Sequence, residues 1–322
     1  MFQAIKDAVA RWESDPNVYF VVVAHAEGSR GFCSGGDISM FVDAGSSDPT
    51  ESRRLFRTEY SLNVAISRFP KPYLGIIDGI SMGGGIGITI HGSHRVATEN
   101  TVFAMPETGI GLFPDVGSGY FLSRLPGEIG TWLGLTGARL KGSDVTAIGI
   151  ATHYIPSTDI PQLKYQIAQA DFSNDAAVSV DRIVSDLSVP VPAGSYLETM
   201  DVINRCFGHD RVEEIITSLR NENSDWADQQ LETIRKKCPT SLKLGLRLIR
   251  EGKHCRTLAE DMRTEFRIVW RRVTDADLAK GVRGIVVDRS RQPQWSPATV
   301  EEVTDELVDT YFEPLGEDEL PV

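Results

Sequence analysis

Cysteine and histidine are scarce in this sequence, and no long apolar run is present. The four cysteines, Cys33, Cys206, Cys238 and Cys255, form no Cys-x-x-Cys pair. That spacing excludes the usual zinc sites and a disulfide framework, and it points to a reducing compartment. His254 precedes Cys255 directly, but adjacent residues on a helix do not face one another, so a thiol nucleophile is not expected there. No segment approaches the roughly 18 uninterrupted apolar residues of a membrane span. Basic residues are outnumbered, 33 Lys and Arg against 45 Asp and Glu, for a net charge of -12. Nucleic acid is therefore not an expected partner, because phosphate binding draws on clustered cations. The densest basic cluster, Arg53, Arg54 and Arg57, has the spacing of one helix face. Nucleotide and serine-hydrolase fingerprints are missing too. There is no Gly-x-x-x-x-Gly-Lys loop, Gly83-Gly84-Gly85-Ile86-Gly87 has the wrong spacing for a dinucleotide loop, and Gly117-Ser118-Gly119 is two residues too short for a nucleophile elbow. Met1 runs straight into an amphipathic pattern ending near Trp12, with no targeting segment visible.

What is present is an alternation of strand, glycine loop and helix, the signature of an α/β fold. Val18 to Ala24 and Tyr73 to Asp78 are β-branched and apolar runs suited to strands buried on both faces. Arg95 to Thr98 and Thr101 to Ala104 read as further strands, and residues 51 to 68 as a helix closed by Phe69-Pro70. From about residue 160 the pattern turns helical with few glycines. A soft boundary is placed near residue 157, giving a core of 1–157 and a mainly helical region of 158–322.

Two glycine clusters follow the first two strands, Gly35-Gly36-Asp37 and Gly83-Gly84-Gly85. Glycines lacking Cβ let a ligand oxygen approach backbone N–H groups, and a glycine opening a helix adds the positive end of its dipole. Two such donors converging on one oxygen make an oxyanion hole. A third segment, Met105 to Gly117, carries Glu107 and Asp115 eight residues apart among Gly, Pro and apolar residues. A carboxylate in such surroundings is partly desolvated, which raises its basicity toward neutral pH. Spacing alone leaves a second reading open, in which Glu107 caps a helix and Asp115 makes an Asx turn.

Together, Gly31-Phe32-Cys33-Ser34-Gly35-Gly36-Asp37, Gly79 to Gly85 and Phe103-Ala104-Met105-Pro106-Glu107 closely resemble the crotonase (enoyl-CoA hydratase/isomerase) superfamily. Residues Phe103 to Pro156, with Gly281-Val282-Arg283-Gly284 and Pro293-Gln294-Trp295-Ser296-Pro297, are similar to its thioester-hydrolase branch. The resemblance implies a spiral of ββα repeats, as in ClpP and crotonase, with a helical C-terminal region. It implies that the backbone N–H groups of Gly36 and Gly84 bind the thioester oxygen, and that Glu59, Glu107 and Asp115 lie at the substrate. Glu107 would act as base or nucleophile, and Asp115 would orient a 3-hydroxyl. The expected substrate is a β-hydroxyacyl-CoA, 3-hydroxyisobutyryl-CoA of valine degradation, with coenzyme A as part of the substrate and no separate cofactor or metal. Hydratases of the superfamily typically place a glutamate two residues after the glycine triplet, where this sequence has Gly87, and a glycine where it has Asp115.

Members usually begin with a strand and an adenine-contacting loop ahead of the helix that starts at Met1, and this sequence has no counterpart to them. The coenzyme-gripping end is therefore expected to be altered. The lysine-rich context after Gly-Gly-Asp is also missing, which leaves Arg30, Arg53, Arg54 and Arg57 as candidate phosphate contacts. The alternatives are an enoyl-CoA hydratase or isomerase, and a non-catalytic member recruited to a larger assembly. Oligomeric state is open. The implied compartment is the mitochondrial matrix in a eukaryote or the cytoplasm in a bacterium.

Overall fold

A computed structural model describes residues 1–26, 28–29, 31–42, 48–172, 175–191, 194–289 and 293–322; Arg30 lies outside them. The chain forms two compact units, one of residues Met1–Gly35, Ser61–Ala104 and Arg139–Leu197, the other of Gly36–Tyr60, Met105–Ala138 and Glu198–Val322.

The first unit carries all seven described strands: β1 (Val21–Val23), β2 (Tyr73–Ile77), β3 (Ile80–Met82), β4 (His94–Ala97), β5 (Val102–Ala104), β6 (Leu140–Lys141) and β7 (His153–Tyr154). They make two sheets, a parallel one in the order β1-β2-β4-β7 and a second in the order β3-β5-β6. Successive pairs send one strand to each sheet: β1 with the bridge residue Cys33, then β2 with β3, then β4 with β5. This is the expected ββα spiral. Its cause is local, because a glycine at φ +118, Gly79, turns the chain sharply between β2 and β3.

Strand β2 is buried along its whole length, as its unbroken apolar run requires. Alternate side chains serve two cores. Leu74 and Ile76 pack with Val96, Ile160, Leu163, Val180 and Val184, whereas Tyr73 packs with Phe2, Val9, Val21, Leu62 and Ile66. The strand predicted over residues 18–24 is shorter here, confined to Val21–Val23. The helix predicted from 51 to 68 spans Thr50–Ser67, its start held by Asp48, which accepts from the Thr50 amide at 3.0 Å. After the glycine triplet the α-helix is a single turn, Gly84–Gly87, rather than a stretch to His91.

The second unit has no strand among its described residues, and none occurs in either unit after β7. The expected cut near residue 157 thus separates strand-bearing from helical sequence, whereas the contacts divide the chain differently. The reason is that segment 105–138 packs with the C-terminal helices: Cys238 donates its amide to the Thr108 carbonyl at 2.9 Å, and the buried Arg272 donates Nε to the Gly111 carbonyl at 3.0 Å.

Within the first unit Cys33 and Gly35 lie against the second glycine cluster. Cys33 donates to Ile80 at 2.8 Å and accepts from Met82 at 3.0 Å, which brings the loop so close that a Cβ on Gly85 would lie 2.1 Å from the Cys33 carbonyl oxygen. Gly85→Ala is therefore expected to destabilise the fold by about 2–3 kcal/mol in urea denaturation, since backbone rather than a flexible side chain must move.

Candidate active site

Glu59 reaches the site from the helix Thr50–Ser67. Its buried stripe runs Phe56, Glu59, Tyr60, Asn63, so that one face of an apolar pattern contains an acid only 4% exposed. Glu107, also 4% exposed, opens a 3-10 turn that Gly111 closes at φ +77. Asp115, 4% exposed as well, precedes two residues with left-handed backbone, Val116 at φ +56 and Gly117 at φ +90. The bland reading of the two acids is not what the structure has. Glu107 makes no side-chain cap, the N-cap being Pro106, and Asp115 Oδ2 accepts the Tyr60 hydroxyl at 2.9 Å. Glu107 Oε2 is buried with no hydrogen-bond partner.

These three acids lie close enough to oppose one another's ionisation. Burial is the main cause for each, and it lifts Asp115 to about 7 against the pull of the Tyr60 hydrogen bond. Glu59 is raised well above the ordinary glutamate range by burial, then by Asp115 and Glu107. Glu107 is raised by burial and by Asp115, while the Lys237 ammonium favours its charged form. Lys237 is partly buried, its own proton affinity lowered by burial and restored in part by Glu107. Its Nζ would lie 3.5 Å from a Cβ on Gly109 and 3.3 Å from one on Gly137, so those glycines leave room for it.

Of the glycines, Gly84 is buried and opens the turn Gly84–Gly87, where its N–H has no carbonyl a turn earlier to donate to. A Cβ on Gly35, at φ +101, would lie 3.6 Å from that nitrogen. Gly36 follows Gly35 on an exposed stretch of loop.

Two expected phosphate contacts are otherwise engaged. Arg53 stacks on Trp270 at 3.9 Å and donates to its carbonyl. Arg57 lies over Phe266 and donates to the Asp318 and Glu319 carbonyls at 2.8 and 2.9 Å. Both secure the C-terminal helices rather than present a free charge. Arg54 is exposed. Burial pushes the Cys255 thiol up to about 11, which removes it as a nucleophile. Among the described residues no group of three His, Cys, Asp or Glu could hold a metal ion, and no helix is long and apolar enough to cross a membrane.

Four site residues escaped the sequence reading: Tyr60, Lys237, Asp261 and Glu265. Tyr60 read as one more apolar position. Lys237 carries no local signal. Asp261 and Glu265 did carry one, because they interrupt the apolar stripe Leu258, Met262, Phe266, Val269 at helical spacing.

The chain belongs to the enoyl-CoA hydratase/isomerase family, whose model matches residues 1–312. Among curated relatives it is 43% identical to the mitochondrial 3-hydroxyisobutyryl-CoA hydrolase of Gallus gallus and 41% to that of Homo sapiens. Each alignment covers 99% of this chain and 83% of the relative. Among solved structures it is similar to a carnitinyl-CoA dehydratase from Mycobacterium thermoresistibile, with a TM-score of 0.91 and 36% identity over 99% of this chain and 90% of that one. It is also similar to an enoyl-CoA hydratase from Rhodobacter sphaeroides, with a TM-score of 0.88 and 35% identity over 100% and 92%.

The buried acids give stability a pH dependence of definite sign. Asp115 titrates near 3.8 when unfolded and about 7 when folded, so between those values the folded state binds the extra proton and stability falls as pH rises. His94 and His153, held below the ordinary imidazole value by burial, act in the opposite sense below about pH 6.5. The difference between wild type and Asp115→Asn reports this carboxyl together with its coupling to Glu59 and Glu107. The wild-type melting temperature should drop relative to the variant between about pH 4 and pH 7; parallel curves would contradict the assignment.

Proposed function

We propose that this protein hydrolyses β-hydroxyacyl-coenzyme A thioesters, 3-hydroxyisobutyryl-CoA in particular, yielding free coenzyme A and the 3-hydroxy acid. The observation that carries this reading is the buried carboxylate trio, with one oxygen of Glu107 left without a partner. The names of the curated relatives support it.

In this mechanism the thioester carbonyl oxygen accepts from the Gly36 and Gly84 amides. Loss of one such donor typically costs about 10²–10³ in rate. Of the three acids, Glu107 is the one beside Lys237, whose ammonium favours the charged form of the acid. Its free oxygen either takes a proton from water as that water attacks the carbonyl, or attacks the carbonyl itself to form an anhydride that water then opens. Both routes break the carbon–sulfur bond and release the coenzyme's thiol. Asp115, oriented by Tyr60, accepts a hydrogen bond from the 3-hydroxyl, and an acyl group lacking that hydroxyl leaves the carboxylate unpaired in a buried site. Glu59, whose own proton affinity is raised by Asp115 and Glu107, lines the substrate site. Coenzyme A serves as part of the substrate, with no further cofactor. In a eukaryote the reading places the reaction in the mitochondrial matrix, following the relatives' names, and in a bacterium in the cytoplasm; assembly into homo-oligomers is part of the same proposal.

The structural relatives named for hydration favour a second reading, water addition to an enoyl-CoA. Gly87 argues against it, because this residue provides no side chain where the resemblance would require the second acid.

Thiol release from 3-hydroxyisobutyryl-CoA decides between them. Wild type should release thiol, Glu107→Gln should lose about 10³-fold or more in kcat, and Asp115→Asn about 10²-fold in kcat/KM for the hydroxylated substrate. Hydration of crotonyl-CoA without thiol release would reverse the order of the two readings. A single turnover in ¹⁸O water separates the two routes, since label enters the Glu107 carboxyl only by way of the anhydride.

A further inference from the structure

Two of the most deeply buried acids stand outside the trio and have no part in the steps above. Asp261 and Glu265 lie one turn apart on the helix Leu258–Arg272, 1% and 0% exposed. Both aim at the loop that follows Asp115. Glu265 accepts the Gly117 amide with both oxygens, at 3.0 and 2.9 Å, and the Gly119 amide at 3.4 Å. Asp261 Oδ2 accepts the Tyr120 amide at 2.8 Å. The two carboxyls lie close enough that Asp261 opposes the ionisation of Glu265, and Asp261 Oδ1 is buried without a hydrogen-bond partner.

This is a costly way to satisfy three amides, because burying acids is unfavourable where a neutral acceptor would do. What they hold in place is strained. Val116 is β-branched, fully buried and at φ +56, a backbone state that persists only where its surroundings over-determine it. The loop has no room to relax: a Cβ on Gly119 would lie 2.1 Å from Asp261 Oδ1, and one on Gly252 would lie 1.9 Å from the Gly119 carbonyl oxygen. The same helix also steadies the other side of Asp115. Phe266, next to Glu265, meets the Tyr60 ring edge-on at 6.4 Å, and Tyr60 donates to Asp115.

We propose that Glu265, backed by Asp261, is a positioning residue for Asp115, fixing the turn that points this carboxylate at the substrate's 3-hydroxyl and so sharpening discrimination for hydroxylated acyl groups. The proposal rests on the reading of Asp115 given above. The charged and titratable groups around the pair are Asp115 and Tyr60 toward the site, and Arg124, Glu251 and Cys255 behind Asp261.

The test compares wild type, Glu265→Ala, Glu265→Gln and Asp115→Asn on 3-hydroxyisobutyryl-CoA and on isobutyryl-CoA. Glu265→Ala should lose about 10²-fold in kcat/KM on the hydroxylated thioester and far less on the other, as Asp115→Asn does. Glu265→Gln, which keeps one oxygen for the Gly117 amide, should recover most of that loss. Equal losses on both substrates, with the Asp115 carboxyl titrating as in wild type by ¹³C NMR, would overturn the proposal. If wild type cleaves neither thioester, the functional reading fails. The NMR titration then decides positioning alone: movement of Asp115 from near 7 toward the ordinary aspartate range in Glu265→Ala upholds it, and no movement overturns it. Should the alanine variant not fold, Glu265→Met, which fills similar space but cannot accept the Gly117 amide, is read in the same titration, with Glu265→Gln as the control that removes the charge and keeps the acceptor.

Discussion

Burial of carboxyl groups governs the organisation of the helical unit. Glu59, Glu107, Asp115, Asp261 and Glu265 are all at most 4% exposed. Removing an ionised carboxylate from water costs several kcal/mol even after the protein relaxes, so the unit needs compensation at each one. The compensation differs by position. Asp261 and Glu265 accept backbone amides, Asp115 takes a phenol hydroxyl, and Glu107 has a nearby ammonium but one oxygen left without a partner. Glu107 thus keeps a buried oxygen free beside an ammonium, an arrangement of the kind found where an active site tunes a carboxyl for chemistry.

The segment from Met105 to Tyr120 shows how that arrangement is maintained. It is mostly buried yet contains no strand, so its amides and carbonyls cannot be satisfied by a ladder. Side chains and caps from the C-terminal helices do so instead: Cys238 at Thr108, Arg272 at Gly111, Glu265 at Gly117 and Gly119, and Asp261 at Tyr120. An unpaired buried backbone group would cost about 1–3 kcal/mol. The C-terminal helices are thus part of the site, although none of their residues belongs to the carboxylate trio.

The similarity to structures named for dehydration and hydration, alongside curated relatives named as hydrolases, fits the general rule that a fold hosts several chemistries and the site selects among them. In the function proposed above, the selection rests on two positions, a glycine at 87 and an aspartate at 115.

The strand-bearing half was largely legible in the sequence, because runs such as Tyr73 to Ile77 are buried on both faces and carry their own pattern. At Gly79 and Gly85 the structure shows close backbone approaches that a Cβ would block, which the sequence reading of the glycines as ligand-facing did not include. Strand and helix ends were less legible, since they depend on which amides find partners, and the one-turn helix after Gly83 could not be told from a longer one by periodicity. The glycine clusters, Glu107 and Asp115 stood out from their local residues, motif context assigned them roles, and it alone named Glu59. Tertiary structure decided what a linear pattern cannot encode. It brought Tyr60 onto Asp115, set Lys237 beside Glu107, and turned Arg53 and Arg57 from candidate phosphate ligands into supports for Trp270 and Phe266. It also aimed the acids of a helix more than a hundred residues away at the loop behind Asp115. Burial and through-space charge set these relations, and both arise only when distant segments of the chain pack together.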